Sequence, residues 1–211
     1  MFFSNQNKSL TDEQRDKMLQ EAESAYRLFM EALHIDLNDP NATDTPKRVS
    51  KMYVNELFKG RYSERPSIQS FPNTEKYDEI IFTNCNTVSV CAHHHVIINN
   101  HIFIGVLSNP DPSSSLIGLS KYTRLAEWIS ARPTIQEDMT SQLHDEIDKL
   151  CKDNLGVIVY VVGRHGCTTS RGVRQEGSRM ITCRCSKAFK EDKSSKDEFL
   201  SMVRSIEGRG I

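Results

Sequence analysis

Glu79 to Leu107 reads EIIFTNCNTVSVCAHHHVIINNHIFIGVL. Glu79 to Val90 and Val96 to Leu107 are rich in Ile, Val, Phe and Thr, side chains that suit a pleated surface, so the stretch predicts two antiparallel strands. The loop between them holds Cys91-Ala92-His93-His94, and a related run, His165-Gly166-Cys167, follows a later apolar segment. Thiolate sulfur and imidazole nitrogen are the usual donors to zinc. Cys91, His94 and Cys167 offer three ligands, which leaves a tetrahedral ion one position for water. A structural zinc site normally closes with four protein ligands, whereas a catalytic one stays open. The pattern points to an enzyme.

Backbone geometry constrains that set. Side chains two apart on a strand share a face, so Cys91 and His93 would share one in an extended segment, as would His165 and Cys167. Cys91 and His94 would not, and binding one ion requires a turn at Ala92-His93. His93 and His165 then sit beside the metal, where a neutral imidazole can move protons. His95 reads as a neighbour rather than a ligand. Buried cysteine is often only a small hydrophobe, the reading for Cys85, Cys151, Cys183 and Cys185. His34, His101 and His144 read as ordinary surface or interface histidines.

Outward from this centre, Thr11-Asp12-Glu13-Gln14 is a capping box opening a helix, with Met18, Ala22, Tyr26, Phe29 and Leu33 on one face. Asp36 to Thr43 breaks it, and Thr45-Pro46 starts another, with Val49, Met52, Tyr53 and Phe58 as its apolar side. Gly60 to Lys76 reads as a polar connector and Asn109 to Ser115 as a loop. Ser120 to Ala131 and Thr134 to Lys152 read as helices, Val157 to Val162 as a buried strand and Ser178 to Phe189 as a fourth strand. Ser195-x-x-Glu198 caps a last helix. Residues 1–60 form an N-terminal helical region and 61–211 the core, an α+β pattern.

A chain of 211 residues accommodates one domain. A hydrophobic content of 37% is modest and predicts completion of the fold by other subunits. A net charge of −1 supplies no field for nucleic acid or anionic lipid. No apolar run reaches membrane-spanning length, and Met1-Phe2-Phe3-Ser4 leads into polar sequence, so no nucleic-acid or membrane partner is expected and the expected location is cytoplasmic. Reduced thiols suit both that compartment and metal binding.

These motifs, in this order, resemble GTP cyclohydrolase I over roughly Thr45 to Ser205. The landmarks are Asp44-Thr45-Pro46-Lys47-Arg48-Val49, Cys91-x-His93-His94, Ile117-Gly118-Leu119-Ser120-Lys121, Gln136-Glu137, His165-x-Cys167 and Arg171-Gly172-Val173. The resemblance implies a tunnelling fold, an antiparallel four-stranded sheet with a helix pair between its second and third strands. It also implies sheets joined into a barrel within a homodecamer, with sites shared between subunits. It implies Zn2+ on Cys91, His94 and Cys167, activating water for attack on guanine C8 of GTP. His93 and His165 would carry protons as formate leaves, and rearrangement would give dihydroneopterin triphosphate.

By the same resemblance Gln136 and Glu137 read guanine, Ser120 lies beside the ribose, and Arg48, Lys121, Arg124 and Arg171 clamp the triphosphate. Local chemistry offers other uses. Thr134-x-x-Glu137 is also a capping box, Ser120 could be a helix N-cap, and scattered cations are usually solvated. The chain departs from the family at Ala92, where Glu is usual, at His95, usually apolar, in a longer Asn109 to Ser115 loop, and at Cys183-Arg184-Cys185. Two rivals follow: a catalytically silent member acting as regulator or scaffold, and a zinc-stabilised binding module completed by His95 or Cys185. The downstream pathway (folate, tetrahydrobiopterin or deazaguanine) is left open.

Overall fold

The computed structural model describes residues 3–208. Helix α1, Asp12–Ala32, opens on the expected capping box: the Gln14 amide N–H donates to the Thr11 hydroxyl and the Thr11 N–H to the Gln14 side chain. Only Met30 of this helix is fully buried, and Phe29 and Leu33 remain about half exposed. Helix α2, Thr45–Lys51, takes Pro46 in its first turn and runs into a π-helical turn, Met52–Leu57, and then α3, Lys59–Tyr62.

Two long strands appear where expected, β2 (Ile80–Cys91) and β3 (Ile97–Leu107), antiparallel with Val90 opposite Ile97. Strand β6, Gly156–His165, lies on the other side of β3, and β7, Met180–Cys185, beyond it. The sheet has five strands rather than four: β5, the two residues Pro133–Thr134, adds to β2 in parallel, giving the order β5-β2-β3-β6-β7. Such a short strand has no periodicity to announce it. The connector predicted over Gly60 to Lys76 contains β1, Ser70–Pro72, which pairs with β4, Ser115–Ile117, in a separate two-stranded sheet.

Both faces of the central strands are covered, which is why they read as nearly continuous apolar runs. Ile102, Ile104, Val106, Val157, Val159 and Val161 pack against α4 (Leu119–Ser130) and α5 (Gln136–Leu150). On the opposite face Phe103 and Ile158 pack against Phe189 of α7, Ala188–Glu191, and Phe199 and Val203 of α8, Lys193–Glu207. Burying a side chain such as Phe199 stabilises the fold by about 2–3 kcal/mol.

The last strand ends at Cys185, and Phe189 lies on a helix. Asp192, not Ser195, caps α8, accepting from the N–H groups of Ser194 and Ser195. His144 is buried within α5 rather than at the surface.

Candidate metal and proton-transfer site

One end of the sheet gathers the candidate site residues because three strand ends meet there. Strand β2 finishes at Cys91, β3 begins at Ile97, and β6 brings His165 opposite Ile98. Residues 92–94 form the required turn, closed by Cys91 N–H to Val96 O at 2.9 Å and His95 N–H to Cys91 O at 2.8 Å. The β5 pairing places Thr134 beside Cys91, and Ala92 N–H donates to Thr134 O at 3.2 Å. Two residues on, α5 starts, so Gln136 and Glu137 are delivered to the same end.

Strand β6 runs beyond the predicted Val162 to His165, but the chain is not extended from there to Cys167. Helix α6, Gly166–Thr169, begins directly after His165, which rotates Cys167 away from the alternation of a strand. The hydroxyls of Thr168 and Thr169 donate to His165 O and hold this turn. A Cβ on Gly166 would stand 2.8 Å from Ile97 O, so only glycine lets the turn lie this close to β3.

The result is a triad of donors. One ligand atom each from Cys91, His94 and Cys167 lies within 4.8 Å of the others. Cys91 is buried, Cys167 half-buried and His94 exposed. Burial and the adjacent Cys91 raise the Cys167 thiol, while Arg171 acts in the opposite direction. Two soft sulfurs and one imidazole at this separation fit zinc, whose tetrahedral ligands stand roughly 3.5–4 Å apart. No fourth member joins the group among the described residues. His95 turns its ring toward Tyr53 and Phe58. Cys185 pairs with Ile158, seven positions along β6 from His165 and so about 23 Å away.

Beside the triad, His165 and Gln136 are bonded: His165 Nε2 lies 2.8 Å from Gln136 Oε1. The orientation of this amide is fixed by its other end, where Nε2 of Gln136 donates to Val161 O, Met180 O and Thr182 Oγ1. Because those partners include two carbonyls, the amide oxygen must face His165. His165 therefore carries its proton on Nε2 and leaves Nδ1 as an acceptor. Burial lowers the His165 pKa, and Glu137 pulls it back upward. Gly163 makes this contact possible, since a Cβ there would occupy the place of the Gln136 amide. Gly163 was not singled out from the sequence, although a glycine within a strand is the feature that marks such a close approach.

The remaining residues are distributed around this end or stand apart from it. The capping box at Thr134 does not form: Ile135 occupies the cap position, Thr134 Oγ1 donates to Ile135 O, and Glu137 is exposed. Ser120 is not a cap either, because Gly118 holds that position. Arg48 is exposed and pairs with Asp44 at 3.2 Å. Lys121 is half-buried, and Arg124 and Arg171 are exposed. No membrane-spanning helix occurs among the described residues.

Comparison with known proteins gives a consistent picture. The sequence model of the GTP cyclohydrolase I family matches residues 22–204. The chain is 35% identical to GTP cyclohydrolase 1 of Erwinia tasmaniensis over 178 residues, 83% of this chain and 78% of that one. It is 35% identical to GTP cyclohydrolase 1 of Buchnera aphidicola subsp. Schizaphis graminum over 189 residues, covering 88% and 84%. A solved archaeosine synthase QueF-Like structure in the apo form matches 52% of the chain and 95% of its own at a TM-score of 0.42 and 10% identity, too distant a likeness to add to these.

Proposed function

Since the chain belongs to the GTP cyclohydrolase I family, we propose that it hydrolyses GTP at guanine C8, releases formate and rearranges the remainder to 7,8-dihydroneopterin triphosphate. The observation that carries this reading is the open three-donor set, Cys91, His94 and Cys167, beside a histidine held by Gln136. When bound, zinc supplies a Lewis acid that makes a water in the fourth ligand position acidic near neutral pH.

The chain's own residues supply the rest. His165 is held by Gln136 with Nδ1 free, so it accepts a proton there and returns it to a ring nitrogen of the opening imidazole. His93, exposed on the metal loop, is the second carrier. Glu137 is free of any capping duty and accepts hydrogen bonds from the guanine N–H edge. Gln136 supports that edge through its placement of Glu137 and His165. Ser120, not used as a cap, assists at the ribose. Arg48, Lys121, Arg124 and Arg171 hold the triphosphate, the guanidinium groups through paired N–H donors.

Arg48 and Arg124 lie in the outer layers of one chain, which suits sites completed between subunits of a cytoplasmic homodecamer. The exposed apolar side chains of α1 and the outer strand β7 support such an assembly. The deciding experiment incubates zinc-loaded protein with GTP and measures formate and pterin fluorescence together. Neither product, from folded and metal-loaded protein, would establish a silent member instead.

A further inference from the structure

His95 follows the expected ligand His94, and its backbone lies in the left-handed region, φ 53°. A residue with a Cβ enters that region against a steric cost, so its surroundings must hold it there. Two sets of contacts do so. The His95 N–H donates to Cys91 O at 2.8 Å, closing the metal loop on itself. The His95 ring meets Phe58 edge-on with centroids 5.4 Å apart and meets Tyr53 at 6.0 Å. Tyr53 and Phe58 touch each other at 5.1 Å, so the three rings form one cluster.

The cluster joins segments distant in sequence. Tyr53 lies in the π-helical turn Met52–Leu57, and Phe58 follows it directly. Widened turns of this kind occur where a helix must present side chains out of regular register. Helix α1 packs against this π-helical turn and so stands behind the cluster. His94, one residue before His95, is exposed, as is His95 itself, and its ring meets that of His93 at 6.4 Å. Ligands of that kind are oriented by neighbouring groups.

We infer that the His95–Tyr53–Phe58 cluster is a positioning device for the metal loop, in which the His95 ring acts by packing and aims His94 toward Cys91 and Cys167. His95 is thus neither a fourth ligand nor a proton carrier, and the N-terminal helices reach the metal through it. This role presupposes the zinc site proposed above but not the turnover of GTP.

Zinc retention tests it without any assay of activity. Full-length variants are loaded with zinc, challenged with a chelator and followed for metal release, with thermal unfolding recorded in parallel. His95→Ala and Tyr53→Leu should each release zinc about 10-fold faster than wild type. His95→Phe, which keeps a ring and removes both nitrogens, should retain zinc like wild type. His95→Gly, which relaxes the backbone and lacks the ring, should behave like His95→Ala. The His95→Ala, Tyr53→Leu double variant should be no worse than the worse single change, because both break one contact. Release from His95→Phe as fast as from His95→Ala would make a ring nitrogen the working group and overturn the inference. Wild-type retention in His95→Gly would overturn it by assigning the effect to the backbone. A wild-type protein that binds no zinc would remove the metal site itself, an outcome distinct from bound zinc with no GTP turnover.

Discussion

Gln136 Oε1 faces His165 Nε2 at 2.8 Å, and the same amide is anchored at its nitrogen by Val161, Met180 and Thr182. One side chain from the first turn of α5 therefore ties together β6, β7 and a proposed proton carrier. Replacing Gln136 by Leu should leave His165 without its orienting acceptor and leave the partners at β6 and β7 unsatisfied. We expect formate release to fall about 10–100-fold with zinc content unchanged. Gly163→Ala should reproduce that loss, because its methyl group takes the space of the amide, and should destabilise the fold by about 1–3 kcal/mol. Full activity in both variants would detach this contact from catalysis.

Ligands and proton carriers should separate by metal content. Cys91→Ser, His94→Ala and Cys167→Ser each remove one of three mutually close donors and should lose zinc and activity together. His93→Ala and His165→Ala should keep zinc and lose turnover. Elemental analysis showing an empty His93 variant and a full His94 variant would reverse the assignment.

A deoxyribose substrate should divide the reaction. Opening of the guanine ring involves the base and the groups around His165, whereas the later rearrangement needs the ribose 2′-hydroxyl. Deoxy-GTP should bind and release formate without giving the normal neopterin product. Ser120→Ala should shift GTP toward the same partial outcome. Formate and neopterin fluorescence measured in one reaction check both, and normal neopterin from deoxy-GTP would refute the division.

Acid stability should depend on the cluster at the far end of α5. Lys187 Nζ donates to Asp148 Oδ1, Asn154 O and Asn154 Oδ1. Burial pushes the Asp148 carboxyl up, but the bonds from Asn154 and Lys187 outweigh it and leave the pKa below its ordinary 3.8. A depressed carboxyl contributes stability at pH values above the unfolded pKa and loses it as pH falls through the lower folded pKa. Lys187→Met should therefore destabilise the protein at neutral pH. Because both groups are partly solvated, the effect should be at most about 1 kcal/mol. The difference from wild type should narrow below about pH 4. Denaturant titrations at neutral and acid pH measure it.

Assembly is open to direct measurement. If neighbouring chains complete the site, sedimentation should show a large symmetric ring. A fully active monomer would exclude both the shared site and the closed barrel.

The sequence by itself determined the features written in contiguous residues. Segments rich in β-branched and apolar residues marked β2, β3 and β6, the Thr11–Gln14 box marked the start of α1, and the spacing of Cys91, His94 and Cys167 marked the donor triad. Each depends on side-chain chemistry and on a local period of the backbone. The tertiary structure alone decided what those periods do not carry. The two-residue β5 is held by β2 and puts α5 beside Cys91; that placement leaves Thr134 and Glu137 without a capping box. The β3–β6 register sets His165 opposite Ile98, and Gly163 leaves room for Gln136 to reach it. The His95 ring found Tyr53 and Phe58 across the fold. Those contacts depend on strand register and on space left by other side chains, which no short stretch of sequence specifies.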